Sequence, residues 1–182
     1  MGALHARRVR RLLPLAFCSL GAIGASDLGA VAAAQHFRDP PAAGWLIASL
    51  SAGSILGGLW WGARDHRGSV GLQGGVLCGV MGLGFALVSV LPGLAAMGIA
   101  LAGTGLSLAP LLTVQSTLMA NSAPAGYRAE ALSWLNAMGG AGAASATAIA
   151  GPLISTFGAN SPFLLASVLA VVAAILSLTT LV

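Results

Sequence analysis

The chain has 182 residues, of which 57% are hydrophobic and only 7% are charged, and its mean hydropathy is +0.93. Ordinary globular domains carry about 25% charged residues, so this composition excludes a soluble fold and predicts an integral membrane protein. The apolar runs are continuous. This favours helices, because the strands of a membrane barrel alternate apolar and polar residues.

The formal net charge of +4 comes from eight arginines and four acidic residues, with no lysine. The arginines stand at the ends of apolar runs, so their distribution indicates orientation in a membrane and not binding to nucleic acid. Arginine in place of lysine, together with abundant alanine and glycine, is typical of a GC-rich bacterial genome. We therefore expect the chain in the inner (plasma) membrane of a bacterium.

The first apolar run, 12–37, contains one aspartate, Asp27, and follows the Arg-rich segment 1–11. About 20 apolar residues cross a bilayer core of roughly 30 Å, so this run is long enough to span. Asp27 lies ~16 residues after Arg11, or ~24 Å along a helix, which keeps it at membrane depth. The run is too long for a signal peptide, and no small-residue cleavage site precedes a soluble domain.

Six spans are predicted in the domain 12–182, separated by turns rich in Pro, Gly, Asn and Asp. Their approximate bounds are 12–37, 44–63, 69–90, 93–119, 129–153 and 161–181. With the N-terminus inside, seven arginines fall on the cytoplasmic side and only Arg38 falls outside. This positive-inside bias predicts that both termini are cytoplasmic.

The first set of three spans starts on the inside and the second set starts on the outside, so the two halves are inverted with respect to each other. Gly57-Gly58 and Gly151-Pro152 stand late in the second helix of each half. The predicted fold class is therefore all-α, with six transmembrane helices arranged as two inverted three-helix repeats, a recurring plan among transporters.

Four short motifs and one dipeptide follow one another along the chain, and their order is more informative about the protein family than any single motif. They are GSILGGL at 53–59, GARDHRG at 62–68, Ala109-Pro110, RAEALSW at 128–134 and AGPL at 150–153. In this order the chain resembles the C-terminal six-helix half of a major facilitator superfamily transporter, and is especially similar to drug-efflux members. Members of that superfamily have twelve spans. Four residues after Gly58, where they carry an aspartate, this chain has Gly62.

Asp27 is the sharpest functional candidate, because a carboxylate at membrane depth is costly unless it is paired, hydrated or protonated. It is predicted to couple protons or bind a cation in a central cavity; a structural hydrogen bond, or a position nearer the outer interface, is the alternative. Gln115 and Asn136 are amides inside the fourth and fifth spans. They line the same cavity on one interpretation and bridge helices by hydrogen bonds on the other.

Pro110 is expected to kink the fourth span, since a proline removes one helix hydrogen bond. The loop residues Arg64, Asp65 and Arg67 are expected to form a solvated turn that sets orientation, and the resemblance implies that this turn is the gating loop. The resemblance also implies that Arg128 and Glu130 lock the inner face.

No metal constellation, nucleophile–base pair or phosphate loop is visible in the sequence. We therefore expect neither an enzyme nor a cofactor, and we interpret Cys18 and Cys78 as packed small side chains.

The sequence and the resemblance together predict a secondary active transporter, or half of one. It would move a small molecule across the membrane by alternating access, with proton-coupled efflux as the favoured mode. The expected partners are the bilayer, the small molecule, protons, and either a second six-helix half or a homodimer partner. The alternative is a non-transporting accessory subunit or a fragment of a longer transporter. A channel is disfavoured, because no ring of charge or filter segment is present.

Overall fold

The computed structural model describes residues 2–64 and 69–181, and the regular structure within these residues is entirely helical. A 3₁₀ turn, Ala3–His5, precedes seven α-helices: α1 Arg7–His36, α2 Ala42–Gly62, α3 Val70–Val90, α4 Leu94–Gly105, α5 Leu108–Ser122, α6 Arg128–Phe157 and α7 Ser161–Leu181. Among the described residues, six helices are long and apolar enough to cross a membrane, as predicted, with α4 and α5 together forming the fourth, Leu94–Ser122.

Local chemistry sets several helix ends. The Ser69 hydroxyl accepts a hydrogen bond from the Leu72 N–H at 3.3 Å and so caps the start of α3. Gly158, at φ 89°, ends α6 in a conformation that side chains rarely adopt. Pro152 does not end α6, which continues to Phe157. The span predicted at 129–153 is therefore longer in the structure.

The first helix is the most buried of the six spanning helices. In its most apolar stretch 61% of the residues are buried, against 22% for α6 and 28% for α2. α1 packs most extensively against α6 and then α7, and it also contacts α2 and α5. The rest of the bundle is thus organised around α1, which carries Asp27.

Two helix pairs approach so closely that only glycine fits between them. A Cβ at Gly53 would meet the carbonyl of Ala102, so α2 lies directly against α4. A Cβ at Gly142 would meet the carbonyl of Phe17, so α6 lies equally close to α1. Small residues permit such contacts where lipid supplies no hydrophobic driving force between helices.

Hydrogen bonds join α3 to α7 along the length of both helices. Ser177 Oγ donates to the Gly71 carbonyl at 2.8 Å, and Ser167 Oγ donates to the Gly82 carbonyl at 2.9 Å. Each hydroxyl donor thus has its acceptor on the neighbouring helix, which is the arrangement needed where little water is present to accept the hydrogen bond.

Large apolar side chains cover much of the outside of the bundle. Leu83 is 73% exposed, Ile99 is 77% exposed and Phe157 is 77% exposed. Soluble monomers rarely carry extensive exposed apolar surface. The helices therefore present an apolar exterior as well as an apolar core.

Candidate functional site

The sharpest candidate, Asp27, lies on α1 one turn after the region where α1 meets α6. A Cβ at Gly24 would lie 2.8 Å from the Cα of Ala143, and Thr147 Oγ1 donates to the Gly24 carbonyl at 3.3 Å. Residues three apart share one side of a helix. Asp27 is therefore on the side of α1 that borders α6.

The Asp27 carboxylate is partly buried and has no hydrogen bond or ion pair to any residue that the structure describes. Among those residues, no fully buried side-chain oxygen or nitrogen lacks a partner. The unpaired carboxylate must therefore reach the surface of the bundle. Within a membrane such a group would be directed towards water, a ligand or another protein surface.

Gln115 occupies the opposite kind of environment. It is only 1% exposed on α5, and its Nε2 donates to the Ser19 hydroxyl on α1 at 2.8 Å. Ser19 Oγ donates in turn to the Ala16 carbonyl at 3.3 Å. The side chain of Gln115 therefore bridges two helices, the second of the two roles that the sequence left open.

Asn136 is exposed on α6, and its amide has no hydrogen bond to a described residue. Two exposed hydroxyls on α5 and α6 donate back to their own helix, Thr113 to the Ala109 carbonyl at 2.9 Å and Ser133 to the Ala129 carbonyl at 3.0 Å. Asn136 therefore resembles Asp27: it is a polar group whose partner must come from outside the described chain.

Asp27 lies at a different height in the bundle from Gln115 and Asn136. Gln115 is level with Ser19, and Asp27 lies eight residues further along α1, or about 12 Å. Gly139, one turn after Asn136, faces Leu20 of α1, so Asn136 is near the level of Gln115. Four surface cavities of the described residues have linings that include none of the three. Within this chain they do not meet at one point.

The fourth span is interrupted one turn before Pro110. α4 ends at Gly105 and α5 begins at Leu108, with short-range hydrogen bonds from the Leu106 and Ser107 amides to the Gly103 and Thr104 carbonyls. Pro110 has no N–H, so the carbonyl of Leu106 lacks the usual helix donor. The break therefore lies where the proline leaves the helix one hydrogen bond short.

At the end of α2, the Arg64 guanidinium carbon lies 4.4 Å from the centre of the Trp60 ring. A cation over an aromatic face at this distance is attracted by the ring quadrupole. The contact fixes the side chain of Arg64 against the last turn of α2. The other two predicted loop residues, Asp65 and Arg67, lie outside the described residues.

Glu130 binds the N-terminal segment. Its Oε1 accepts a hydrogen bond from the Ala3 N–H at 3.2 Å, which attaches the 3₁₀ turn to the first turn of α6. Arg128 is exposed, and the two side chains form no ion pair. Glu130 therefore acts on the backbone of residue 3 and not on its neighbour in sequence.

Sequence reasoning missed the partners that complete these contacts. Ser19 sits in an apolar run as an ordinary small residue, and Ala3 offers only a backbone amide. A polar residue near each candidate was visible, but the pairing depends on helix rotation. Cys18 is half-buried and Cys78 is buried; both are unbonded thiols, and the described residues hold no group of three metal-ligating side chains.

No protein-family model matches the chain, and no curated protein is significantly similar to it.

Proposed function

We propose that the chain is a six-span protein of the bacterial plasma membrane with both termini in the cytoplasm. The six apolar helices and the apolar exterior support insertion in a bilayer. The arginines support the orientation, since the N-terminal cluster occupies the first turns of α1, and Arg64 and Arg128 stand at the turns that this topology assigns to the same side.

We further infer that the two halves are inverted repeats. What supports this is a correspondence in packing. The first span packs on the fifth and sixth spans, and the fourth span packs on the second and third in the same way. The third and sixth spans pack on each other. Exchanging the two triplets reproduces these pairings, as a two-fold axis in the membrane plane would. The contact between the fifth and sixth spans is the exception, because the second and third spans do not pack on each other to a comparable extent.

We propose that the function is secondary active transport of a small molecule, with Asp27 as the proton-coupling group. The observation that carries this is the unpaired carboxylate of Asp27 within the most buried of the helices that are long and apolar enough to cross a membrane. Proton binding there would bias the equilibrium between inward-open and outward-open states, because each state hydrates the carboxylate differently.

The bundle by itself is half of such a transporter. α2 and α6 are the least buried helices, and, beside the exposed Leu112 and Trp134, α5 and α6 expose a set of small and polar residues. These are Thr113, Ser116, Thr117, Asn136, Gly140, Ala141, Ala144 and Ser145. We name this set the small-polar face. Its composition suits contact with a water-lined cavity or another helix bundle better than contact with lipid chains. We propose that a second copy or a second six-helix half covers it.

Transport is tested with the chain reconstituted in vesicles that carry an imposed proton gradient. The lipophilic cation ethidium serves as the probe, because the apolar spans favour an amphipathic solute. The wild type is expected to move ethidium in response to the gradient, and Asp27→Asn is expected to lose that response. Asp39→Asn, in the exposed turn after α1, is the matched control and should behave as the wild type. Equal gradient-driven rates for Asp27→Asn and wild type would show that Asp27 is not the proton-coupling group.

A non-transporting accessory subunit is the second candidate, and one observation favours it. Gln115 is buried in a helix bridge and is not directed towards an open surface. This reading predicts that the chain moves no probe with or without the gradient and that Asp27→Asn changes only its association with another membrane protein.

A further inference from the structure

The end of the bundle where α1 begins carries a cavity that the proposed transport does not use. It lies between the first turns of α1 and the last part of α7, and has a volume of about 490 Å³. Its lining consists of Arg7, Arg10, Arg11, Pro14 and Leu176. Ligand sites in proteins commonly have volumes of roughly 300–1,000 Å³, so the cavity has room for more than a single ion.

The spacing of the lining residues concentrates charge on one side of α1. Positions 7, 10, 11 and 14 follow the i, i+3, i+4, i+7 pattern and therefore share one helix face. The fourth arginine of the cluster, Arg8, is turned about 100° from Arg7 and is not part of the lining. Val9 and Leu12 point into the core and are fully buried, so they hold this face outwards.

Within residues 2–64 and 69–181, no carboxylate neutralises these arginines. All three are exposed, and none forms an ion pair with a residue that the structure describes. The first turn of α1 also has no capping side chain and no acidic residue. Its free N–H groups and the helix dipole add to the positive potential. The described residues around the cavity therefore carry a net positive charge.

We propose that this cavity binds the phosphate of an anionic phospholipid of the cytoplasmic leaflet; the proposal rests on the membrane orientation proposed above. Guanidinium groups bind phosphate oxygens with paired hydrogen bonds. Pro14 and Leu176 form an apolar wall beside the arginines, where the first part of an acyl chain would lie. A basic pocket between membrane helices on the cytoplasmic side is complementary to the negative charge of this leaflet.

The arginine cluster has a simpler explanation, that it only orients the chain in the membrane. That explanation treats all four arginines alike, because it counts charge. The proposed site gives the four arginines different roles, because Arg7, Arg10 and Arg11 contact the lipid and Arg8 does not. Replacing Arg8 or Arg10 removes the same charge from the same turn, so the two variants form a matched pair.

The test is a titration of the purified full chain in neutral detergent with phosphatidylglycerol, followed by native mass spectrometry. Arg10→Gln is expected to weaken binding about five-fold, as one arginine near an anionic lipid contributes. Arg8→Gln is expected to leave binding unchanged. Arg10→Lys keeps the charge but loses the planar guanidinium group and its paired hydrogen-bond donors, so it should weaken binding to a smaller extent. If Arg10→Gln fails to fold, Arg10→Lys takes its place in the comparison with Arg8→Gln.

Three results would overturn the lipid site: equal weakening by Arg8→Gln and Arg10→Gln, equal binding of zwitterionic phosphatidylcholine, or competition by inorganic phosphate as strong as that by the lipid. Failure of the lipid site is distinguished from failure of the proposed topology by labelling the turns of the same variants from each side of the membrane. Lost lipid binding with correct labelling rejects the site alone, and incorrect labelling of the wild type rejects the membrane orientation on which the site rests.

Discussion

The Nε2 atom of Gln115 donates a hydrogen bond to the Ser19 hydroxyl at 2.8 Å and so fixes α5 against α1 in the interior of the bundle. Both side chains are fully or almost fully buried. An amide in this position needs a partner, because a buried donor without one loses its hydration with no compensation. The contact sets how α5 is rotated relative to the helix that carries Asp27.

Ser19→Ala should therefore destabilise the protein. Hydrogen bonds between membrane helices contribute about 0.6 kcal/mol on average and up to ~1.7, and the unpaired amide of Gln115 places the expected loss near the upper value. The measurement is the free energy of unfolding in mixed micelles. Thr113→Val is the control, since that hydroxyl bonds only within α5. A loss no larger than that of the control would show that the bridge does not stabilise the fold.

Gly53→Ala tests the close approach of α2 and α4. The added methyl group would meet the Ala102 carbonyl, and backbone cannot move aside as a flexible side chain can. Overpacking of this kind costs about 1–3 kcal/mol. Thermal unfolding of the two proteins gives the comparison. Gly44→Ala, on the same helix with open space around it, should be neutral or slightly stabilising. Similar melting temperatures for the two variants would contradict the packing.

Glu130→Ala tests the attachment of the N-terminal segment to α6. Loss of the acceptor for the Ala3 N–H should speed hydrogen exchange at residues 3–6 by roughly five-fold, the factor for about 1 kcal/mol. Exchange is followed by mass spectrometry of the N-terminal peptide. Arg128→Ala removes an exposed neighbour that makes no such contact and should leave exchange as in the wild type. Faster exchange in both variants would mean that general charge, and not this hydrogen bond, orders the segment.

Association of two copies through the small-polar face predicts specific cross-links. Ala141→Cys places a thiol on the exposed side of α6, and Ile99→Cys places one on the apolar exterior of α4. In a background with Cys18 and Cys78 replaced by alanine, oxidation in membranes should convert most of the Ala141→Cys protein to a cross-linked species. The Ile99→Cys protein should remain a monomer on non-reducing gels. Equal cross-linking at the two positions would indicate random collision and not a defined interface.

The helical class and the six helices long and apolar enough to cross a membrane follow from the sequence because apolar run length is a strong signal. A helix satisfies its backbone hydrogen bonds within one segment, and these continuous apolar runs lack the alternation of barrel strands. Helix ends were less predictable. α1 begins at Arg7 and not at residue 12 because arginines can remain helical while their charged ends reach water. α6 continues past residue 153 because one missing hydrogen bond at Pro152 does not outweigh the rest of the helix.

The candidate site was predictable as a set of residue types and not as a geometry. An aspartate and two amides inside apolar runs were visible at once. Helix rotation then decided that Gln115 points inwards to Ser19 while Asn136 points outwards, and both positions occur in equally apolar sequence. The role of Glu130 depends on the backbone of Ala3, 127 residues away. No periodicity in the sequence reports such a contact.

The most direct test of the account is the sidedness of the turns between the spans. Single cysteines replace Asp39 and Pro92, in turns assigned to the outside, and Ala63 and Ala125, in turns assigned to the cytoplasm, with Cys18 and Cys78 changed to alanine. A membrane-impermeant thiol reagent is then added to spheroplasts. We predict that the first two cysteines react in intact spheroplasts and that the other two react only after permeabilisation. Reaction of all four from one side, or the reverse pattern, would contradict the six-span topology with cytoplasmic termini.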